Sequence, residues 1–218
     1  MRRSPKRKSP MVHDFSRIPR ANIPRSSFNL SQAYKSTMDF SLLYPFFVQE
    51  VVPGDTHSVT CQLFGRLATP IKPVLDNMFL ETFFFFIPNR LTWTSWPKFM
   101  GEQDNPGDST DFTVPGYAAG GVPTNVVGDW EDYVGLPLLN LNTIGVSCLP
   151  KRGYDLVWDE WFRSQDLQDG KNTDMGDSPY SRDNNNRTPY ARGKRHDYFT
   201  SCLPFPQKGP GVDLPLGQ

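Results

Sequence analysis

The chemically capable side chains are densest at residues 192–198, where Arg192, Gly193, Lys194, Arg195, His196, Asp197 and Tyr198 follow one another without an aliphatic break. A histidine beside an aspartate suggests a proton relay, but sequence neighbours seldom orient one another, and no nucleophile sits at a matching spacing. Gly193-Lys194 is not a phosphate loop, because Arg195 stands where Ser or Thr is required and the upstream glycine is missing. Arginine and tyrosine together suit a protein contact instead. Pro204 and Pro206 would hold Phe205 in an extended segment that docks on a neighbour. The expected subunit-contact residues are Arg192, Lys194, Arg195, His196, Asp197, Tyr198 and Phe205.

The remaining candidates for catalysis or metal binding are weaker. Asp155, Asp159 and Glu160 could be paired carboxylates, but helical spacing sets them away from an apolar stripe, so a solvated face is expected. Trp158 and Trp161 could stack bases or sugars, yet with Tyr154 and Phe162 at helical spacing they read as core. Cys148 and Cys202 have no supporting histidine, and residues 183–186 (Asp-Asn-Asn-Asn) lack the alternating ligands, glycine and closing glutamate of a calcium loop. His13 and His57 are isolated. No catalytic residue, metal site or cofactor is expected.

Nucleic-acid chemistry is concentrated at the start of the chain. Over residues 1–25 eight basic residues face one acid, Asp14, although the whole chain balances 23 basic against 23 acidic residues. Flexible Lys and Arg displace condensed counterions from a polyanion, an attraction that is independent of sequence and weakens steeply with salt. Arg2, Arg3, Lys6, Arg7, Lys8, Arg17 and Arg20 are the expected nucleic-acid contacts. A solubilising tail, or an address signal if the host were eukaryotic, would use the same residues. The prolines in this arm forbid a packed helix, so it is expected to be extended or disordered when free.

Composition limits the body that these residues decorate. Mean hydropathy is −0.51, and 21 Pro and 17 Gly accompany 16 Phe, 8 Tyr and 5 Trp. Rings in a polar, proline-rich chain imply long loops anchored by aromatics, whereas a disordered chain would lack them. Three cysteines without short spacing favour neither a disulfide framework nor a zinc site. No apolar run approaches the roughly 20 residues of a membrane span, and the basic N-terminus lacks a signal peptide's apolar stretch.

Periodicity outlines the positioning elements. Pro53-Gly54 has the preference of a type II turn. Residues 57–67 alternate as a half-buried strand, and residues 78–87 form an apolar run broken only by Glu81 and Thr82. That run predicts a strand buried on both sides, or one with one face in the core and the other against an insertion. A short helix begins near Pro97. Residues 104–128 form a loop, and residues 151–168 form a helix with Tyr154, Val157, Trp158, Trp161 and Phe162 on one stripe. Residues 169–187 read as a polar loop, either functional or disordered.

Several blocks resemble one family in its own order: residues 192–210 (RGKRHDYFTSCLPFPQKGP), 24–31 (PRSSFNLS), 50–56 (EVVPGDT), 76–91 with FFFFIPNRL, and 154–168. The chain is similar to the major capsid proteins of the Microviridae, in particular the gokushovirus branch, which build small icosahedral shells around single-stranded DNA in bacteria. The resemblance implies a mainly β, viral jelly-roll fold with long loop insertions containing short helices. Residues 26–218 would supply the N-terminal part of that domain, with a loop and helix insertion at about 104–190. Family members continue well beyond the segment matching Gln218, so an incomplete barrel, poorly soluble alone, is expected.

The expected function is therefore structural. The chain would self-assemble into a shell, contact viral single-stranded DNA, have other virion proteins as further candidate partners, and avoid membranes. Synthesis and assembly would occur in the host bacterial cytoplasm. The alternative is a stand-alone single-stranded DNA-binding β module using the arm with Trp93 and Trp96. A carbohydrate-active or hydrolytic β protein lacks its acid pair or nucleophile.

Overall fold

The structure is a computed structural model that describes residues 23–119, 124–171, 174–193, 195, 197–199, 201–202 and 209–211. The chain separates into two compact units, Met1–Lys35 and Ser36–Gln218. The described part of the first, residues 23–35, is exposed and has neither helix nor strand. Among the described residues, the helices and core clusters belong to the second.

Short helices carry that unit. They are α1 (Trp96–Phe99), α2 (Trp130–Tyr133), α3 (Leu141–Ile144) and α4 (Leu149–Val157), preceded by a 3-10 turn at Asn89–Leu91. Pro97 lies in the first turn of α1, where its missing N–H costs nothing, as the sequence predicts. Asn140 caps α3 by accepting from the Asn142 amide at 3.1 Å. Neither α2 nor α3 is legible in the sequence, because one helical turn is too short to show a period.

The predicted helix over 151–168 is real but displaced. It begins at Leu149 with Pro150 in its first turn, and at Trp158–Phe162 it widens into a π-helical turn. It stops at Arg163, whose ψ of 139° is extended, rather than at residue 168. The widened turn changes which side chains face inward. Trp158 and Phe162 pack with Tyr190, Leu43, Tyr154 and Val157 in one core cluster, whereas Trp161 is swung out to 71 % exposure. The stripe therefore loses one of its predicted members.

A second cluster joins Tyr117, Leu141, Cys148 and Tyr180. Around both clusters, isolated bridges close the loops: Leu42 to Ala191, Gly116 to Ser147, Tyr117 to Tyr180 and Thr124 to Asn140. Residues 57–67 and 78–87, expected as strands, have neither strand nor helix and form no ladder among the described residues. The turn at Pro53-Gly54 does form, with Gly54 at φ +90° and the Asp55 amide donating to Val52 O at 3.1 Å.

Gly193 explains part of the signature segment. Its amide donates to Phe162 O at 2.7 Å, and a Cβ there would lie 2.7 Å from that same oxygen and 3.1 Å from Ser164 N. Both obstacles are backbone at the helix terminus, so neither can rotate away. Gly193→Ala is expected to destabilise the chain by about 1–3 kcal/mol through overpacking, read as a lowered midpoint in urea unfolding followed by tryptophan fluorescence.

Candidate subunit interface and the charge network behind it

The centre of the helical region is a buried ion pair rather than an aliphatic core. On α4, Lys151 and Asp155 stand one turn apart, and the Lys151 ammonium donates to Asp155 Oδ1, both side chains being sealed from water. Tyr190 OH donates to the same oxygen at 2.8 Å and Tyr180 OH to Oδ2 at 2.6 Å. Lys151 also donates to Tyr190 Oη at 2.8 Å. Four rings surround the ammonium, with centroids at 4.6 Å (Tyr190), 5.2 Å (Tyr154), 5.5 Å (Tyr180) and 5.7 Å (Trp130). A desolvated cation held this way gains cation–π attraction in addition to its carboxylate.

The sequence places Asp155 on a solvated face, and the structure overturns this. Asp155 stands three and seven residues before Trp158 and Phe162, so helical phase puts it at the edge of their stripe, and Tyr180 and Tyr190, arriving from a distant segment, enclose it there. Asp159 is only partly covered. It pairs with Arg163 at 3.5 Å and accepts from the Lys171 amide at 3.0 Å.

Two further arginines extend the network. Arg182 reaches Asp129 at 2.7 Å and Glu131 at 3.1 Å, and Arg187 reaches Asp129 at 2.8 Å. Arg152 donates to the carbonyls of Thr92 (3.2 Å), Gly176 (2.9 Å) and Ser178 (2.8 Å). These bonds order much of the polar stretch 169–187. A chain segment rich in Asp and Asn is fixed here because buried arginines take its carbonyls and its neighbours' carboxylates.

Burial governs the protonation equilibria. It pushes the Lys151 ammonium below the usual lysine range against the pull of Asp155. It raises the Tyr180 and Tyr190 phenols far above theirs, with Asp155 adding to the effect, and lifts the Glu131 carboxyl although Arg182 opposes the shift. Each tyrosine is therefore a fixed donor at neutral pH. Lys151, Asp155, Tyr180 and Tyr190 spend their polar atoms on one another, while the buried Trp130 Nε1 has no hydrogen-bond partner among the described residues.

The expected contact residues lie at the edge of this assembly. Arg192 and Arg195 both pair with Glu81, and the Arg192 guanidinium sits 5.4 Å from the Phe83 ring and 5.7 Å from Phe162. The Arg192 amide donates to Ser41 O at 2.8 Å. Asp197 shapes an exposed turn by accepting from the Phe199 amide at 2.9 Å, and Tyr198 and Phe199 project there with rings 5.4 Å apart. Lys194, His196 and Phe205 lie outside the described residues, as do Arg2, Arg3, Lys6, Arg7, Lys8, Arg17 and Arg20 of the arm. A cleft of about 380 Å³ opens between Trp161, Arg163, Arg192 and Arg195. Sequence reasoning misses Glu81 and Trp161 as partners of this edge. The lone acid in the apolar run 78–87 is the available signal for Glu81.

The family described as Capsid protein (F protein) matches residues 16–218. The chain is 42 % identical over 210 residues to capsid protein VP1 of Bdellovibrio phage phiMH2K, covering 94 % of this chain and 38 % of that protein. Against capsid protein VP1 of Chlamydia phage 1 the identity is 39 % over 227 residues (94 % and 37 % covered). Against that of Spiroplasma virus 4 it is 31 % over 221 residues (94 % and 39 %). All three are Microviridae proteins. The chain spans about two-fifths of the length of the curated relatives it matches.

Removing one partner from a buried pair strands the other charge, whereas replacing both with apolar groups of similar volume does not. Lys151→Met and Asp155→Leu are each expected to cost about 3–5 kcal/mol. The double variant should cost clearly less than their sum, measured as a double-mutant cycle in urea.

Proposed function

This chain belongs to the F-protein family of phage capsid proteins, and from that premise we propose that it forms part of a jelly-roll shell subunit that self-associates with icosahedral symmetry and touches single-stranded DNA through its basic arm. A capsid protein is a component of the virion and not an enzyme. The family match across residues 16–218 carries the reading.

The jelly roll is supported by what residues 56–87 lack. No backbone–backbone hydrogen bond involves any of these residues among those described, yet they carry Phe64, Leu75, Phe79 and Phe86 in the open. Extended backbone with unpaired polar groups and exposed apolar side chains is stable only when strands from elsewhere complete the sheet. The helical region, by contrast, carries its own backbone hydrogen bonds. The chain thus combines a finished insertion with unfinished strands.

Shell formation needs repeated patches that close on copies of the same protein. Tyr198 at 90 % exposure, beside Phe199, has the ring type that dominates interface energetics. Arg192 and Arg195 precede it in sequence, and the proposed contact set also includes Lys194, His196, Asp197 and Phe205. The arm's seven cations, Arg2 to Arg20, supply a charge suited to an enclosed polyanion. Assembly in the host bacterial cytoplasm, with other virion proteins as further partners, completes the proposal.

Two experiments test it. In the whole capsid protein, Arg195→Ala combined with Tyr198→Ala should abolish particles in electron micrographs while leaving expression intact; normal particles would remove this surface from the proposal. Deleting residues 1–20 should weaken single-stranded DNA binding and flatten its salt dependence, the log–log slope falling by about 0.7 for each phosphate that is no longer neutralised. An unchanged slope would discard the arm.

A further inference from the structure

We propose that the cleft between Trp161 and the arginines Arg163, Arg192 and Arg195 receives the acidic loop at residues 101–111 of a second copy of this chain. The inference rests on the self-association reading above and names the segment that fills one of its contacts.

Two local devices build the cleft. The π-helical turn swings Trp161 out of the stripe formed by its neighbours, leaving the ring 71 % exposed and 5.7 Å from that of Phe85. The bond from Gly193 N to Phe162 O then sets the arginine segment against the end of that turn. The result is an open recess of about 380 Å³ with an aromatic wall, three guanidinium groups and no carboxylate among the described residues that line it. Glu81 is shared by Arg192 and Arg195, so one negative charge answers two positive ones, and the Arg195 side chain stays 60 % exposed. Arg163 meets Asp159 only at 3.5 Å and gives an N–H to Gln168 O. Planar forks of this kind select carboxylates.

The same chain carries the complement. Residues 99–150 contain seven acidic side chains and neither Lys nor Arg. Four of the seven, Glu102, Asp104, Asp108 and Asp111, stand exposed on one loop, and none pairs with a basic side chain among the described residues. The loop holds its own shape, since the Asn105 amide donates to Asp108 Oδ2 at 2.8 Å and the Asp108 amide to Asn105 O at 3.1 Å. A preformed tip loses little entropy on docking. Between Asp104 and Asp108 it carries Pro106, an apolar ring suited to the Trp161 face as the acids are suited to the arginines. Single-stranded DNA would also stack on Trp161 and meet the arginines, but it would leave the loop's carboxylates uncompensated. A second copy answers both surfaces with one contact, because every copy carries a cleft and a loop. The two patches differ, so the contact is heterologous and builds a ring when the rotation between copies closes.

The test is disulfide trapping in the whole capsid protein. Asp104→Cys combined with Ser164→Cys, a cleft residue, and oxidised with diamide, should give a ladder of dimers, trimers and higher covalent oligomers on non-reducing gels, because each copy offers both halves. Either substitution alone should give no more than the unaltered protein, whose Cys61 and Cys202 are also exposed. Glu102→Lys with Asp104→Lys, on the exposed loop, should lower the yield of particles by about 10-fold or more, since like charges then face each other. No ladder, a ladder that stops at dimers, or an undiminished yield from the lysine variant would overturn the assignment. So would a single-stranded oligonucleotide that quenches tryptophan fluorescence in the unaltered protein but not in Trp161→Phe, which would give the cleft to nucleic acid. Closed particles without the ladder would overturn the contact and leave the shell reading standing. The full ladder from open oligomers, with no closed particles, would uphold the contact and count against the shell.

Discussion

The constraint on which the helical region depends is the solvation of one carboxylate. Asp155 is sealed from water and survives there as an acceptor because Lys151, Tyr180 and Tyr190 all aim donors at it. Those donors come from α4 and from two positions in the chain's later third. Satisfying the carboxylate therefore fixes where that later segment runs, and through Leu43 N to Tyr190 O it also fixes the approach of residues 41–43. A buried pair of this kind adds little net stability over an apolar one, but it allows few alternative packings. Arg152 works in the same manner, tying the carbonyl of Thr92 to those of Gly176 and Ser178, and Arg182 ties its own segment to two carboxylates at the start of α2.

How much of this is readable from sequence depends on whether the partner is local. Helix α4 announces itself through Tyr154, Val157 and Trp158, since periodicity is a property of one segment. Asp155 is misplaced because a carboxylate at the edge of an apolar stripe reads as solvated unless the tyrosines 25 and 35 residues away that satisfy it are known, and helical phase cannot register those. Trp161 is misplaced for the opposite reason: a local irregularity, the π-helical turn, shifts the phase just where the stripe continues. The two-faced character of residues 78–87 is legible from composition, including the prospect of an insertion against one face. Which face the insertion takes needs Glu81 and Ile87 in three dimensions.

The signature segment at 192–210 resembles its family for at least two physical reasons. Gly193 is there because backbone passes too close for any side chain, and Arg192 because a guanidinium fits between Phe83 and Phe162 while reaching Glu81. These are internal demands. Tyr198 and Phe199 answer to none of them among the described residues, and their rings face outward. Packing and assembly thus share one short stretch of sequence, which is why its residue types look chemically rich without forming a catalytic centre.

The bridge between Leu42 and Ala191 also sets an order of events on the ribosome. The backbone bonds of residues 41–43 to Tyr190 and Arg192 cannot form until the chain has been synthesised past Arg192, almost its whole described length. The phenylalanine run at 83–86 likewise emerges long before Trp161 and Phe162, the partners of Phe83 and Phe85, have been made, at the moment when nascent chains are most vulnerable to sticking together. A polypeptide built this way would have reason to rely on holding factors during translation, and slowed elongation after residue 86 would prolong its most adhesive state.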